Sequence, residues 1–321
     1  MGHIFINQLQ PGTTIDDVYM ISQPILRSTT RGDLYIAMFV SDRTGKVNGR
    51  IWQASEELFN SLPKEGFAHI KGRSEIYQNA MQIVGDRINA VPAEKVDIND
   101  YLPRTEKDVK QMWDDTVKIV SEIKNPFLKS LVGEFTSDKE MMKQFCTAPG
   151  GTANHHSYIG GLLEHTNTML NTAKAMMPCY PQLQTDLVLA GIFLHDMGKT
   201  EELTYKMAFG YSDSGQLLGH IVMTVNMVER KAVAMEAAGK EVNREILQSL
   251  EHIILAHHGE YEFGSPKLPM TAEAFLVGFL DNIDAKINQV TGKIDSEPGD
   301  ANWTAFIKSL DSKIYRKRVV D

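Results

Sequence analysis

The chain is short of cysteine, long apolar runs and basic charge, and each shortage removes a class of protein. Cys146 and Cys179 are its only cysteines, too few for a disulfide framework or a thiolate metal cluster, and both are expected to be ordinary, partly buried thiols. No uninterrupted apolar stretch reaches the roughly 18 residues of a membrane span, and the opening MGHIFINQLQPG has no basic segment followed by a hydrophobic one. A cytoplasmic protein without a membrane partner is expected. The formal charge of -8 argues against a broad basic surface that grips duplex DNA through many phosphates, although a narrow nucleic-acid channel remains compatible with it. The glycine pairs at 150–151 and 160–161 fit neither a Walker A loop nor a dinucleotide-binding fingerprint, so ATP or NAD chemistry is not indicated.

What the chain does have is a composition fit for packed cores. Of its 321 residues 42% are apolar and 23% charged, which suits one large domain or two smaller ones. Residues 1–95 carry ten Lys or Arg against ten Asp or Glu, so the acidic excess lies entirely in the remainder. The neutral part reads as five β-rich runs, VYMISQPILRS, LYIAMFVS, KVNGRIWQ, FAHIKGRSEIY and AMQIVGDRINAV, with SEELFNSLP as a short helix before the fourth. That is the element order of a small OB barrel. Phe39 and Trp52 are expected in its core, since large aromatics are usually buried.

Beyond the proline-bearing stretch VPAEKVDINDYLPR the period turns helical. TEKDVKQMWDDTVKIVSEI is amphipathic, with Met112, Trp113, Val117 and Val120 as packing residues, and FLKSLVGEFTSDKEMMKQFCTA suggests two shorter helices. The expected organisation is multidomain α and β: a five-stranded OB-like barrel over residues 1–92, a linker and helical extension over 93–150, an all-α domain over 151–312 and a basic tail over 313–321.

Within the helical part, His165, His195, Asp196, His257 and Asp281 stand in the order H…HD…H…D, with His220 between the pair and His257. Imidazole and carboxylate suit Mn, Fe, Co, Mg or Zn acting on oxygen, and this set can hold two divalent ions over a phosphate ester. The residues lie too far apart for a zinc finger and sit on separate helical segments, so a helical metal bundle is inferred. Lys199, three residues after Asp196, either meets a phosphate oxygen at the pocket mouth or is a solvated helix end. His257 and His258 point in different directions as successive helical residues; one can bind metal while the other holds phosphate or orients water. Glu164 is expected to be a solvated helix residue and His252 to be without a role in the site.

Two resemblances sharpen this reading. LYIAMFVSDRTGKVNGRIWQ and FAHIKGRSEIYQNAMQI are similar to nucleic-acid-binding OB-fold domains, while GGLLEHT, FLHDMGK, His220, LAHHG and GFLDNID resemble the metal-site segments of HD-domain phosphohydrolases. Together, from about residue 12 to residue 310, they resemble the YhaM-family exoribonucleases, which degrade RNA from the 3′ end. The resemblance implies a first ion among His165, His195, Asp196 and Asp281, with Asp196 bridging to a second ion completed by His220 and His257. Asp196, Lys199 and His258 are the candidates for catalytic roles, and the resemblance implies Mn²⁺ as the metal, with Co²⁺, Fe²⁺ or Mg²⁺ also permitted by the ligands. Tyr35, Phe39, Arg43, Lys46, Arg50, Trp52, Arg73 and Tyr77 become candidate contacts to a single strand of RNA or DNA, aromatics stacking on bases and basic groups meeting the backbone. His155 and His156 join them as candidates beside the substrate, their alternative being a turn or cap.

The expected reaction is metal-assisted hydrolysis of the terminal phosphodiester, releasing nucleoside 5′-monophosphates, by a chain that can also form a homo-oligomer. Two other readings stay open: an HD-type nucleotide or cyclic-nucleotide phosphodiesterase with a regulatory or assembly barrel, and a noncatalytic RNA-binding module.

Overall fold

The computed structural model describes residues 3–320 with the exceptions of 79, 153–154, 206–208, 298 and 300. The chain forms two compact units that divide between Arg104 and Thr105. Among the described residues no helix is long and apolar enough to cross a membrane.

In the first unit, β1 (Thr14–Ser28), β2 (Leu34–Asp42), β3 (Gly45–Trp52), β4 (Glu65–Tyr77) and β5 (Ala80–Val91) close into a barrel of order β1-β2-β3-β5-β4, with α1 (Glu56–Ser61) between the third and fourth strands. The β3–β5 pairing is parallel and the others are antiparallel. β1 is long enough to pair with both β2 and β4, and its register shifts between Ser22 and Ile25 as it bends from one to the other. Closure and connectivity are those of an OB-like barrel. Period-two alternation sends Ile15, Tyr19, Ile21, Ile36, Met38, Val40, Ile51, Ile70, Ile83 and Ile88 inward.

The same alternation corrects the expectation for two aromatics. Ile51 and Met38 occupy inward positions, so Trp52 and Phe39 must face outward; Trp52 is 42% exposed, and Phe39 is only partly buried and lies outside the core.

The second unit is built from α2 (Val109–Val120), α3 (Pro126–Thr136), α4 (Lys139–Thr147), α5 (Gly161–Met176), α6 (Thr185–Leu194), α7 (Lys199–Glu202), α8 (Asp213–Ala237), α9 (Arg244–Ala256) and α10 (Ala272–Ser296). Side-chain caps start several of these, among them Asn125 on the Leu128 N–H, Asp138 on Met141, Ser212 on Gly215 and Thr271 on Ala274. α6 is apolar on all sides because it is the axle of the unit: Leu187 through Leu194 are all buried, with α5, α9 and α10 packed around it. Phe145 and Phe193 meet edge to face at 5.7 Å, and Met112 is buried with Trp113 packed against the same core. One departure from the all-α expectation is a two-residue ladder, β6 (Leu203–Thr204) with β7 (Gly210–Tyr211). Cys146 is partly buried as expected, whereas Cys179 is exposed.

Candidate metal centre

The ends and faces of five helices bring the scattered histidines and aspartates together. α5 supplies His165, and α10 supplies Asp281. α6 and α9 each stop just before a ligand candidate, His195 and His257 being their C-cap residues. His220 lies one residue past Gly219, where α8 is interrupted at φ 73° and ψ 151°. That backbone geometry is essentially restricted to glycine. Gly198 is equally constrained, since a Cβ there would stand 2.2 Å from the His220 carbonyl oxygen. The glycine of the HDMGK turn therefore lets α8 approach closely enough for His220 to reach Asp196.

Hydrogen bonds set the direction of every ring. The Nδ1–H groups of His195 and His257 donate to the carbonyls of Ile192 and Ile254, each at 2.7 Å, and that of His258 donates to Phe263 O at 2.8 Å. His165 Nδ1 donates to Asp284 Oδ2 at 2.6 Å and His220 Nδ1 to Glu202 Oε1 at 3.1 Å. Carbonyl and carboxylate oxygens only accept, so the proton sits on Nδ1 in each case and Nε2 is turned to the site as a donor atom for a cation.

The carboxylates complete this arrangement. Asp196 Oδ1 lies 3.4 Å from His220 Nε2 and 3.6 Å from His257 Nε2, while its Oδ2 lies 3.3 Å from His195 Nε2 and 3.8 Å from His165 Nε2. Asp281 Oδ1 is 3.2 Å from His165 Nε2. Asp196 Oδ1, His220 Nε2 and His257 Nε2 are buried without a hydrogen-bond partner. Left so, each would cost about 1–3 kcal/mol; a divalent cation among them satisfies all three. Among the described residues four donor sets have their ligand atoms within 4.8 Å of one another; beside His156, His165 and Asp284, whose rings and carboxylate bond each other, these are His165, His195 and Asp281; His195, Asp196 and His257; and His220, His257 and His258. His195 and His257 recur across these sets, and Asp196 faces both sides. The residues fit divalent metal binding.

Electrostatics agree. Burial alone would raise the Asp196 pKa, but the Lys199 ammonium and His195 hold it well below the usual carboxylate range. Asp281 is likewise lowered despite burial, chiefly by its hydrogen bond with His165. Burial alone would lower the His165 pKa, yet Asp281 and Asp284 raise it to about 9, marking a position that attracts positive charge. Burial lowers His257 well below its ordinary value, reinforced by His258 and His195, so it is available as a neutral donor.

A cavity of about 430 Å³ opens beside this cluster. Lys199, His155, His220, His258 and Asp281 line it together with Tyr211, Phe263, Asn282 and Lys286. Lys199 is buried, with Nζ 2.6 Å from Asp196 Oδ2, and is thus no solvated helix end. His258 faces both the cavity and the His220–His257 donor set. His155 reaches the cavity, but His156 does not contact it: both its ring nitrogens are taken, by Tyr158 and Asp284. Glu164 is also not solvated; it is buried, accepts from Thr105 and pairs with Lys107 at 3.0 Å. His252 accepts from the Met270 N–H. Sequence reasoning missed Asp284 and Glu202, the acceptors that orient His165 and His220. Asp284 could have been found from DNID, because it lies one helical turn beyond Asp281.

The strand-contact candidates fall into separate groups on the barrel. Tyr35 and Trp52 are cross-strand partners with rings 5.0 Å apart, and Arg50 lies 5.7 Å from Trp52 and 4.7 Å from the Tyr77 ring. Lys46 sits 3.9 Å over Phe39 on the same outward face. Arg43 is engaged elsewhere, over Phe5 at 4.4 Å and donating to the Asn99 carbonyl at 3.2 Å. Arg73 is exposed on β4, opposite Thr14 and Val84.

Comparison with known proteins adds two findings. Residues 162–286 match the model of the HD domain. The chain is 31% identical over 310 residues to the 3′-5′ exoribonuclease YhaM of Halalkalibacterium halodurans, covering 96% of this chain and 94% of that protein. It is 30% identical over 308 residues to the 3′-5′ exoribonuclease YhaM of Bacillus subtilis, covering 95% of each.

Proposed function

As a member of the YhaM family of 3′-5′ exoribonucleases, the chain is a metal-dependent 3′-5′ exoribonuclease, and we propose that His165, His195, Asp196, His220, His257 and Asp281 are the ligands that give it this activity, two Mn²⁺ ions per chain being held with Asp196 shared between them. The observation that supports this most directly is the trio of unpartnered buried atoms, Asp196 Oδ1, His220 Nε2 and His257 Nε2, next to an open cavity. Bound there, divalent ions activate water and neutralise charge on the phosphate.

The remaining roles belong to side chains. Lys199, held at the cavity by Asp196, offers its ammonium to a nonbridging phosphate oxygen. His258, with Nδ1–H fixed on Phe263 O, presents Nε2 to the same space as a further ligand or as an orienting acceptor for water. His155 is kept neutral at pH 7 because burial, aided by Lys199 and His165, lowers its pKa to about 4; it meets the substrate through hydrogen bonds rather than charge. On the barrel, Tyr35, Trp52, Arg50 and Tyr77 form a face on which bases of a single strand stack while Arg50 and Lys46 meet phosphates. Single-stranded DNA fits that face as a secondary substrate.

Purified protein with Mn²⁺ on 5′-labelled single-stranded RNA should shorten it progressively from the 3′ end and release nucleoside 5′-monophosphates. A 3′-blocked RNA and the Asp196→Ala variant should both stay intact. Intact RNA with verified metal loading, together with cleavage of mononucleotide or cyclic-nucleotide esters, would overturn the reading in favour of a small-nucleotide phosphodiesterase.

A further inference from the structure

The two glycine pairs, which match no phosphate loop, have their use at His156. This residue is 2% exposed and its backbone stands at φ 47°, a left-handed conformation that costs a non-glycine residue of order 1–3 kcal/mol. Its polar groups are all engaged. The N–H donates to Asn288 Oδ1 at 2.8 Å, the carbonyl accepts from the N–H groups of Gly150 and Tyr158 at 2.9 and 2.8 Å, Nδ1 bonds the Tyr158 hydroxyl at 2.9 Å, and Nε2 bonds Asp284 Oδ2 at 2.7 Å. Space is equally specific, since a Cβ on Gly150 would lie 2.7 Å from His156 Cβ and one on Gly161 2.1 Å from the His156 oxygen. One glycine of each pair therefore makes the cradle into which this strained residue fits.

The consequence lies at Asp284. Its Oδ2 accepts from His156 and, at 2.6 Å, from His165, so one oxygen holds both a metal-ligand candidate and the segment that carries Gly150, Gly151, Thr152 and His155 to the cavity wall. We propose that His156, latched to Asp284, is a positioning residue for the RNA: it sets the height of the His155 wall above the ligand cluster, so that the terminal phosphate meets both together. This rests on the nuclease reading above.

The test is His156→Asn in the full chain. Asparagine tolerates positive φ but does not span to Asp284. The KM for single-stranded RNA should rise roughly 10- to 150-fold, the worth of one hydrogen bond to a charged group. The kcat at saturating RNA and the Mn²⁺ affinity by calorimetry should hold, and amide exchange should quicken in the peptide spanning 155–161. Asp284→Ala should by contrast lose about 10–100-fold in Mn²⁺ affinity, as loss of an orienting acceptor does. Unchanged KM with unchanged exchange would overturn the proposal, and so would a loss of Mn²⁺ affinity in His156→Asn equal to that of Asp284→Ala, because His156 would then act only through His165. If the wild type leaves RNA intact, the nuclease reading falls, while the exchange and calorimetry still decide whether the latch exists.

Discussion

Replacing Asp196 with asparagine keeps its volume and removes its charge, and the structure says what the protein should lose. Lys199 Nζ lies 2.6 Å from Asp196 Oδ2, with side chains 10% and 2% exposed. Breaking such a buried pair from one side leaves an uncompensated charge and costs about 3–5 kcal/mol. Against a typical domain stability of about 5–15 kcal/mol, that is a large fraction. In chelated protein, the urea transition of the helical unit should therefore shift to clearly lower denaturant in Asp196→Asn. Adding Lys199→Met removes both charges and should recover most of the loss, because an apolar replacement of similar volume spares the desolvation of the pair. Neither variant should degrade RNA, which separates the stability of the pair from the chemistry of the site. The reasoning is refuted if Asp196→Asn unfolds where the wild type does, or if the double variant is no more stable than the single one.

Other perturbations probe different parts of the molecule. Trp52→Ala should weaken binding of labelled single-stranded RNA, measured by fluorescence anisotropy, by the ~1–3 kcal/mol of one stacked base, or roughly 5- to 150-fold in Kd; an unchanged Kd would remove the Tyr35–Trp52 face from the RNA path. Gly219→Ala should lower stability by about 1–3 kcal/mol, since an L-residue is strained at that backbone geometry, and should reduce metal stoichiometry through His220; retained stoichiometry by elemental analysis would contradict the stated role of the kink. In the barrel, burial alone would lower the His3 pKa, but Asp42 and Asp17, 3.5 and 3.0 Å away, raise it above its ordinary value. The folded pKa thus exceeds the unfolded value of about 6.5. Stability from this group is fully present below that pH and is lost as pH rises through the folded pKa. His3→Ala should flatten that part of the thermal-midpoint profile, and parallel profiles would refute the assignment.

Much of this was legible in the residues because it rests on local pattern. The β-rich runs match the strands closely since alternation and turn chemistry act over a few residues, and the candidate ligand histidines stand out by order and by their apolar helices. What escaped was of three kinds. Size alone places Trp52 and Phe39 inside, whereas parity with Ile51 and Met38 places them outside, and in a strand parity decides the face. Asp284, Glu202 and Glu164 became meaningful only once helices distant in sequence were packed, since an orienting carboxylate is defined by the ring nitrogen or hydroxyl it meets. The left-handed backbone of His156 escaped for a third reason: at a non-glycine residue it has no pattern of its own.

The way α6 and α9 end carries a consequence of its own. Each helix closes on a histidine whose Nδ1–H returns to a carbonyl of the last turn, three residues back. The tautomer of His195 and His257 is therefore written into the segment that bears it, and replacement of distant residues does not flip it. The C-terminal ends of two helices also converge on the cluster, adding fractional negative charge from the backbone dipoles. Side-chain substitutions can strip the candidate ligands away, but that share of the attraction for a cation persists for as long as the helices stand.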